Sequence, residues 1–348
     1  MKHLVSIASL LSVLLLSAPV PADDHERNQK AVLITGATTG IGRATAEHLA
    51  AEGYFVYAGA RKDADMEALN KIENVMAVRL DVTKQDQIDD AARLIEEQGR
   101  GLWGLVNNAG VAVFVPLIEA TEADFEFVFD VNVFGAFRVT QAFAPMIIES
   151  KGRIVNISSI SGVLSVGTAG VYAASKHALE AMTDALAEEL WGLGVHVAAV
   201  NPGSFASAGF AKDCKRMLDD TEADWGPLEE RRQWRIDRCK QRLESGYKST
   251  SPDPIAVALT IEKALFEEKP RGRYLVASQG GAGETIAWGL REILALNIGH
   301  ENSYTRDEIV QFIDLLWPYM SGEKTWNDQE EEWKLHDDWA ERRLSDKN

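Results

Sequence analysis

Gly152-Arg153-Ile154-Val155-Asn156-Ile157-Ser158-Ser159, then a loop from Ile160 to Gly170, then Val171-Tyr172-Ala173-Ala174-Ser175-Lys176: this stretch decides how the rest of the chain is read. Its first part alternates and is β-branched, like a buried strand that ends at Ser159. Its last part opens an Ala-, Leu- and Glu-rich run to about Trp191, which is expected to be helical. On that helix Tyr172 and Lys176, four apart, share one face, so an ammonium is expected beside a phenol. A free tyrosine titrates near 10, and making it useful at neutral pH asks for about 4 kcal/mol of differential stabilisation, which a nearby cation supplies by favouring phenolate. A strand followed by a loop and a helix also predicts α/β architecture, in which ligands gather at the carboxyl ends of the strands. Ser159 stands at such an end. Taken alone, a Tyr-x-x-x-Lys pair is common on helix faces, and the rest of the chain has to carry the reading.

Working outward, Lys30 to Gly36 reads as a buried parallel strand, followed by Ala37-Thr38-Thr39-Gly40-Ile41-Gly42 and a helix from Arg43 to about Glu52. A strand, a glycine-rich turn and a helix N-terminus make an anion site, because glycine lets the backbone approach a pyrophosphate and the helix end offers free N–H groups. Gly36, Thr38, Gly40, Ile41 and Gly42 are therefore cofactor candidates. Tyr54 to Ala60 is a second strand ending in Arg61-Lys62. A cation there accommodates a 2′-phosphate, so Arg61 favours NADP(H), while Asp63 keeps NAD(H) open. After a third strand, Val75 to Leu80, Asp81-Val82 offers a carboxylate for an adenine amino group, or else an N-cap for the next helix. The fourth strand, Leu102 to Val106, runs into Asn107-Asn108-Ala109-Gly110, which suits a hydrogen-bonded floor under a bound cofactor.

A helix from about Glu122 to Ser150 carries Asn132, a buried amide that either bonds structurally or holds a water in a proton path. Val195 to Val200 is a strand, ending Asn201-Pro202-Gly203-Ser204-Phe205-Ala206-Ser207. A helical, charged insertion to about Ser251, with Phe205, Phe210, Met217, Trp225 and Trp234, either covers a pocket or packs a core. Asp253 to Glu268 is expected as a helix and Arg273 to Ala277 as a last strand. Helices near Glu284 to Leu296 and Arg306 to Trp317 follow. The charged tail from Ser321, with Trp326, Trp333 and Trp339, either docks on a surface or frays.

At 348 residues and 46% hydrophobic, the chain can bury a large core. A net charge of −17 argues against nucleic acid, and no Cys/His spacing suggests a metal. Met1-Lys2-His3, an apolar run from Leu4 to Leu16 and small residues up to Ala22 read as an export signal, with an uncleaved membrane anchor or a mis-assigned start, hence a cytoplasmic protein, as alternatives. The apolar run is short for a membrane span. Export conflicts with dependence on a nicotinamide cofactor, which is scarce outside cells. Cys214 and Cys239 could pair if the protein is exported, but free thiols in a helical insertion are the expectation. Asn156-Ile157-Ser158 matches a glycosylation acceptor and is set aside because it lies in a strand expected to be buried.

Together, Thr35-Gly36-x-x-x-Gly40-Ile41-Gly42, Asn107-Asn108-Ala109-Gly110, Asn132, Ser159, Tyr172-x-x-x-Lys176 and Pro202-Gly203 resemble the short-chain dehydrogenase/reductase family, over about residues 30 to 280. The later segments are similar to the part of the family that includes retinol and hydroxysteroid dehydrogenases. The resemblance implies a single Rossmann-type doubly wound parallel sheet with helices on both faces, residues 204–251 forming a substrate lid. It implies an alcohol–carbonyl oxidoreductase for a lipophilic small molecule, assembled as a homodimer or homotetramer. Tyr172 would be the general acid in reduction and base in oxidation, with Ser159 orienting the substrate oxygen. Lys176 would lower the tyrosine pKa and bond the nicotinamide ribose, and Asn132 would position a water. Pro202, Gly203 and Ser207 would meet the nicotinamide, Ser207 standing where the family often has threonine. A catalytically idle dinucleotide-binding sensor is the alternative; the intact set of Asn132, Ser159, Tyr172 and Lys176 speaks against it.

Overall fold

The computed structural model describes residues 29–203, 205, 208–219, 225–244 and 253–277, with scattered positions between 286 and 314. The chain divides into two units, Met1–Thr285 and Ile286–Asn348. Described positions among 286–290 and 306–314 are helical. The N-terminal segment 1–28, Ser207 and the tryptophans of the tail lie outside the described residues.

Seven strands, β1 Ala31–Ile34, β2 Phe55–Ala60, β3 Val75–Arg79, β4 Gly104–Asn107, β5 Arg153–Ile157, β6 His196–Pro202 and β7 Arg273–Val276, form one sheet in the order β3-β2-β1-β4-β5-β6-β7. Every pairing is parallel. A parallel sheet needs both faces covered, and the strands supply apolar side chains to both. Along β1, Val32 and Ile34 face one cluster with Leu49 and Ala46 of helix α1 (Gly40–Ala51) and Ile261 and Leu265 of the later Ile255–Phe266 helix. Ala31 and Leu33 face the opposite cluster with Ile88, Ala91 and Ile95. That alternation is the period of two expected of a strand. Helix α2 is Asp63–Leu69, and α3 is Gln85–Gln98, whose buried Ile88, Ala91 and Ile95 recur at helical spacing and which ends at Gly99 in a left-handed conformation. The expected doubly wound architecture is the one observed.

The long helix expected from Glu122 is instead three pieces. Helix α4, Glu122–Phe129, starts at a capping box in which Thr121 and Asp124 bond reciprocally. A π-helical turn, Asp130–Gly135, follows, and then α5, Ala136–Glu149. Gly135 is required there because a Cβ would lie 2.6 Å from a methyl of Val82. Helix α6, Gly170–Trp191, begins two residues before Tyr172.

The insertion contains α7, Ala208–Asp219, and α8, Glu229–Glu244. Phe205 and Trp225 are buried, and Trp234 is exposed. The expectation of free thiols is corrected here: Cys214 and Cys239 form a disulfide, one from each helix, with Cα atoms 5.3 Å apart. Packing of α8 against α7 brings together residues 25 apart in sequence, a proximity that composition does not reveal. Helix α9, Ile255–Phe266, leads to β7.

Candidate active site

The strand order reverses between β1 and β4, and their carboxyl ends open a crevice where α/β sheets bind ligands. Thr35 and Asn108 lock the two ends together. The Thr35 hydroxyl accepts from the backbone N–H of Asn108 (3.0 Å) and of Ala109 (2.9 Å). The Asn108 amide donates to the carbonyls of Thr35 (2.9 Å) and Gly36 (3.1 Å). Gly36 and Gly40 both have positive φ, near 66° and 59°, a conformation that costs glycine least. A Cβ on Gly42 would come within 2.3 Å of the Asn108 amide and 2.5 Å of the Gly36 carbonyl. Thr39, the N-cap of α1, makes no side-chain cap bond, and the first turn carries no acidic residue. Half-exposed Thr38 and Ile41 flank this turn. An uncapped helix N-terminus over a cradle that tolerates no side chain fits the pyrophosphate of a dinucleotide.

Further along the edge, Arg61 closes β2 with its guanidinium 3.6 Å from Asp81. A surface hollow is lined by Arg61, Asp81, Thr83, Phe127, Asp130 and Val131. Asp81 does not cap α3, whose N-cap is Lys84. Its carboxylate instead accepts from the Thr83 N–H (3.0 Å) and hydroxyl (2.8 Å). Burial pushes the Asp81 carboxyl up, but the Thr83 bonds and the Arg61 charge outweigh it and hold it below the usual range. Val82 is buried between this loop and Gly135. Asp63 is paired with Arg79, which also donates to the Arg61 carbonyl (2.8 Å).

The reacting groups expected from the sequence come together at the ends of β4 and β5. Asn132 projects from the π-helical turn and is 1% exposed. Its amide donates to the Val111 carbonyl (2.9 Å) and the Ser175 hydroxyl (3.0 Å), and its oxygen accepts from the Val111 N–H (2.8 Å). Both of its N–H groups are thereby used, so the side chain is first of all a clamp on the loop after β4. Gly110 lies against both partners, a Cβ there standing 3.5 Å from the Asn132 oxygen and 3.8 Å from Lys176 Nζ. Lys176 is buried, donates to the Ile157 carbonyl (2.8 Å), and holds its Nζ 5.8 Å from the Tyr172 ring centre. Burial lowers its pKa to about 8, against the opposing charge of Glu180.

Ser159 ends β5 in extended backbone and caps a short 3-10 turn, accepting from the Ser161 N–H (3.1 Å). Its hydroxyl also lies close enough to the Tyr172 phenol to favour the ionised phenol. The expected acidification of Tyr172 by Lys176 is corrected: burial pushes the phenol up, and the neighbouring Ser159 hydroxyl only partly offsets this. The reason is electrostatic. The lysine is itself desolvated and donates to the Ile157 carbonyl instead, and burial of the phenol outweighs what its charge supplies. Pro202 closes β6, and the Gly203 N–H donates to the Val276 carbonyl (2.7 Å). Asn156 is 1% exposed, its amide donating to Thr183 (2.9 Å), which leaves it no room as a glycan acceptor.

Sequence reasoning missed the substrate-side neighbours. The Phe114 ring lies 5.6 Å from that of Tyr172, and the Arg235 guanidinium of α8 lies 4.9 Å over Phe114 while donating to the Thr168 hydroxyl (3.3 Å). Beside them, Pro116, Leu117, Ile118, Val166, Leu228 and Arg231 line a hollow of mainly apolar character. Only the aromatic at 114, next to Asn107–Gly110, carried a signal that could have been read.

A family model described as short chain dehydrogenase matches residues 30–217. The chain belongs to that family. Among similar curated proteins, this short-chain dehydrogenase is 36% identical over 287 residues to the mitochondrial D-beta-hydroxybutyrate dehydrogenase of Bos taurus, covering 76% of this chain and 83% of that protein. It is 32% identical over 281 residues to retinol dehydrogenase 7 of Mus musculus, covering 78% and 88%. A solved short-chain dehydrogenase/reductase from Burkholderia phymatum, in complex with NAD, superposes with a TM-score of 0.63 at 26% identity, covering 80% of this chain and 98% of that one. The protein is thus an oxidoreductase of the alcohol dehydrogenase type that works with a nicotinamide cofactor.

Proposed function

We propose that this short-chain dehydrogenase interconverts a carbonyl and an alcohol on an apolar small molecule, using NADP(H) in preference to NAD(H). The observation that carries the chemistry is the meeting of the Ser159 hydroxyl, the Tyr172 phenol and the Lys176 amine at one crevice. Gly36, Thr38, Gly40, Ile41, Gly42, Asn108, Ala109, Gly110, Pro202 and Gly203 would hold the cofactor, which when bound supplies or accepts a hydride. Ser159 orients the substrate oxygen. Tyr172, held protonated at neutral pH by burial, donates its proton to that oxygen during reduction. In oxidation the phenol has to be the base, so oxidation is expected to gain rate as pH rises. Asn132 keeps the loop carrying Phe114 against Tyr172.

Four further readings have support in the same structure. The apolar hollow around Leu117, Ile118, Val166 and Leu228 supports an apolar substrate beneath α7 and α8 acting as a lid. Arg61 at the end of β2, with Asp63 drawn off by Arg79, supports the 2′-phosphate of NADP(H). The Cys214–Cys239 disulfide supports export, because such bonds persist in oxidising compartments, and exposed Phe134 and Phe137 support a homo-oligomer.

The deciding experiment pairs Tyr172→Phe with titrations of NADPH and NADH. Tyr172→Phe is expected to bind cofactor as the wild type does and to lose turnover on a panel of aldehydes and ketones. Retention of most of the rate would end this assignment. Arg61→Ala is expected to weaken NADPH binding selectively, and an unchanged preference would remove the case for NADP(H).

A further inference from the structure

One buried charge beside the reacting groups has no part in the mechanism above. Glu180 lies on α6 one turn beyond Lys176, as Lys176 lies one turn beyond Tyr172, and is 7% exposed. Its carboxylate is fully engaged. One oxygen accepts from the Asn201 amide (2.5 Å) and the other from Arg273 Nε (3.0 Å) of β7. The same Asn201 amide donates to the backbone carbonyl of Ser159 (3.1 Å). The turn that follows Ser159 rests on the carboxylate too, since a Cβ on Gly162 would lie 2.9 Å from a Glu180 oxygen. A buried carboxylate is costly unless it is paired and bonded, and this one is paired with Arg273 and bonded to Asn201, which leads to the site.

We infer that Glu180 is a positioning residue for the proposed reaction: through Asn201 it fixes the Ser159 strand end, and its charge, balanced by Arg273, stands next to Lys176. This rests on the assignment of Ser159, Tyr172 and Lys176 as reacting groups. Among the described residues, the charges around the pair are few. Lys176 is faced by Tyr172 and Glu180 on its own helix, by the Ile157 carbonyl of β5, and by the neutral Gly110 and Asn132. Glu180 is faced by Arg273, which is also bonded to Asp184 at 2.6 and 2.7 Å, and by neutral Asn201.

The two charges act on Lys176 with opposite sign, which separates positioning from general damage. Glu180 favours the ammonium. Glu180→Gln therefore lowers the pH at which Lys176 loses its proton, and the alkaline limb that Lys176 sets on the reductive rate moves to lower pH. Arg273→Met leaves the Glu180 charge unbalanced and moves the limb to higher pH. Glu180→Gln keeps an oxygen for Asn201 but turns an N–H towards Arg273, which loosens the hold on the Ser159 strand end, and it is expected to lower kcat about tenfold with KM for the cofactor changed less than about threefold. The test is pH–rate profiles of wild type, Glu180→Gln, Glu180→Asp and Arg273→Met, each checked for cofactor binding by fluorescence. Opposite shifts in Glu180→Gln and Arg273→Met, with Glu180→Asp close to the wild-type limb, support the inference. Limbs that stay in place, or move the same way in both, overturn it. Should Glu180→Gln not fold, Arg273→Met alone decides by the sign of its shift. A negative result in a wild type whose turnover still needs Tyr172 defeats this inference and leaves the proposed function standing.

Discussion

Replacing Asn132 with alanine removes three hydrogen bonds: two to the Val111 backbone and one to Ser175. Ser175 keeps a partner, because its hydroxyl donates to the Tyr172 carbonyl (2.7 Å). Val111 loses its side-chain partner at both its N–H and its C=O. A buried polar group left without a partner costs about 1–3 kcal/mol, and partial access of water to Val111 places the pair at about 2–3 kcal/mol in all. Against a total stability of about 5–15 kcal/mol this is a large loss. Urea unfolding followed by circular dichroism should show a lower midpoint at an unchanged slope. Hydrogen exchange should show the cause directly, with protection of the Val111 amide falling about 30- to 150-fold if opening becomes local. Because the loop carries Phe114 against Tyr172, turnover should fall as well. If the alanine variant kept both its urea midpoint and the protection of Val111, the clamp assigned to Asn132 would be wrong.

The remaining predictions concern charge and covalent linkage. Lys176 has a folded pKa near 8, below its unfolded value, so the unfolded chain binds more protons between pH 8 and its own titration, and stability from this group rises with pH across that window. Urea midpoints at pH 8 and 9.5 should show the wild type gaining about 2 kcal/mol relative to Lys176→Met, and equal slopes would contradict the buried ammonium. Reduction of Cys214–Cys239 releases a link between residues 25 apart, worth about 3 kcal/mol by loop-closure entropy. Limited proteolysis after reduction should cut within residues 208–244 and leave residues 29–203 intact; uniform resistance would mean that packing alone holds α7 to α8.

Much of the fold could be read because its strands are short, apolar and punctuated by glycine, asparagine or proline at their carboxyl ends. Gly36, Asn107-Asn108 and Pro202-Gly203 each end a strand where the side-chain pattern breaks, as Ser159 does after β5. Two things were hidden for a common reason, that they depend on contacts distant in sequence. Cys214 and Cys239 meet only because two helices fold back on each other. Glu180 looks like one of several solvent-facing acids on an alanine-rich helix, and its partners Asn201 and Arg273, the latter 93 residues away, show that it faces inward. The state of Tyr172 failed to follow from spacing because proximity on a helix fixes direction and not dielectric: burial acts on both partners and weakens the cation that was expected to help. The π-helical turn left no trace in composition, since its apolar residues fit a regular helix equally well.

That turn has a genetic consequence. Each residue of a regular helix advances the chain by about 100°, and the wide loop at Asp130–Gly135 stores an offset that a standard helix lacks. Losing a single codon inside that turn would let the coil close into a regular helix with Phe143 and Ile147 still on the sheet, whereas losing one from α5 would swing the residues beyond it about a quarter-turn. Length in α5 should therefore tolerate less change than spelling does, and a library of one-residue deletions across 136–149 should yield far fewer soluble clones than a library of substitutions over the same positions.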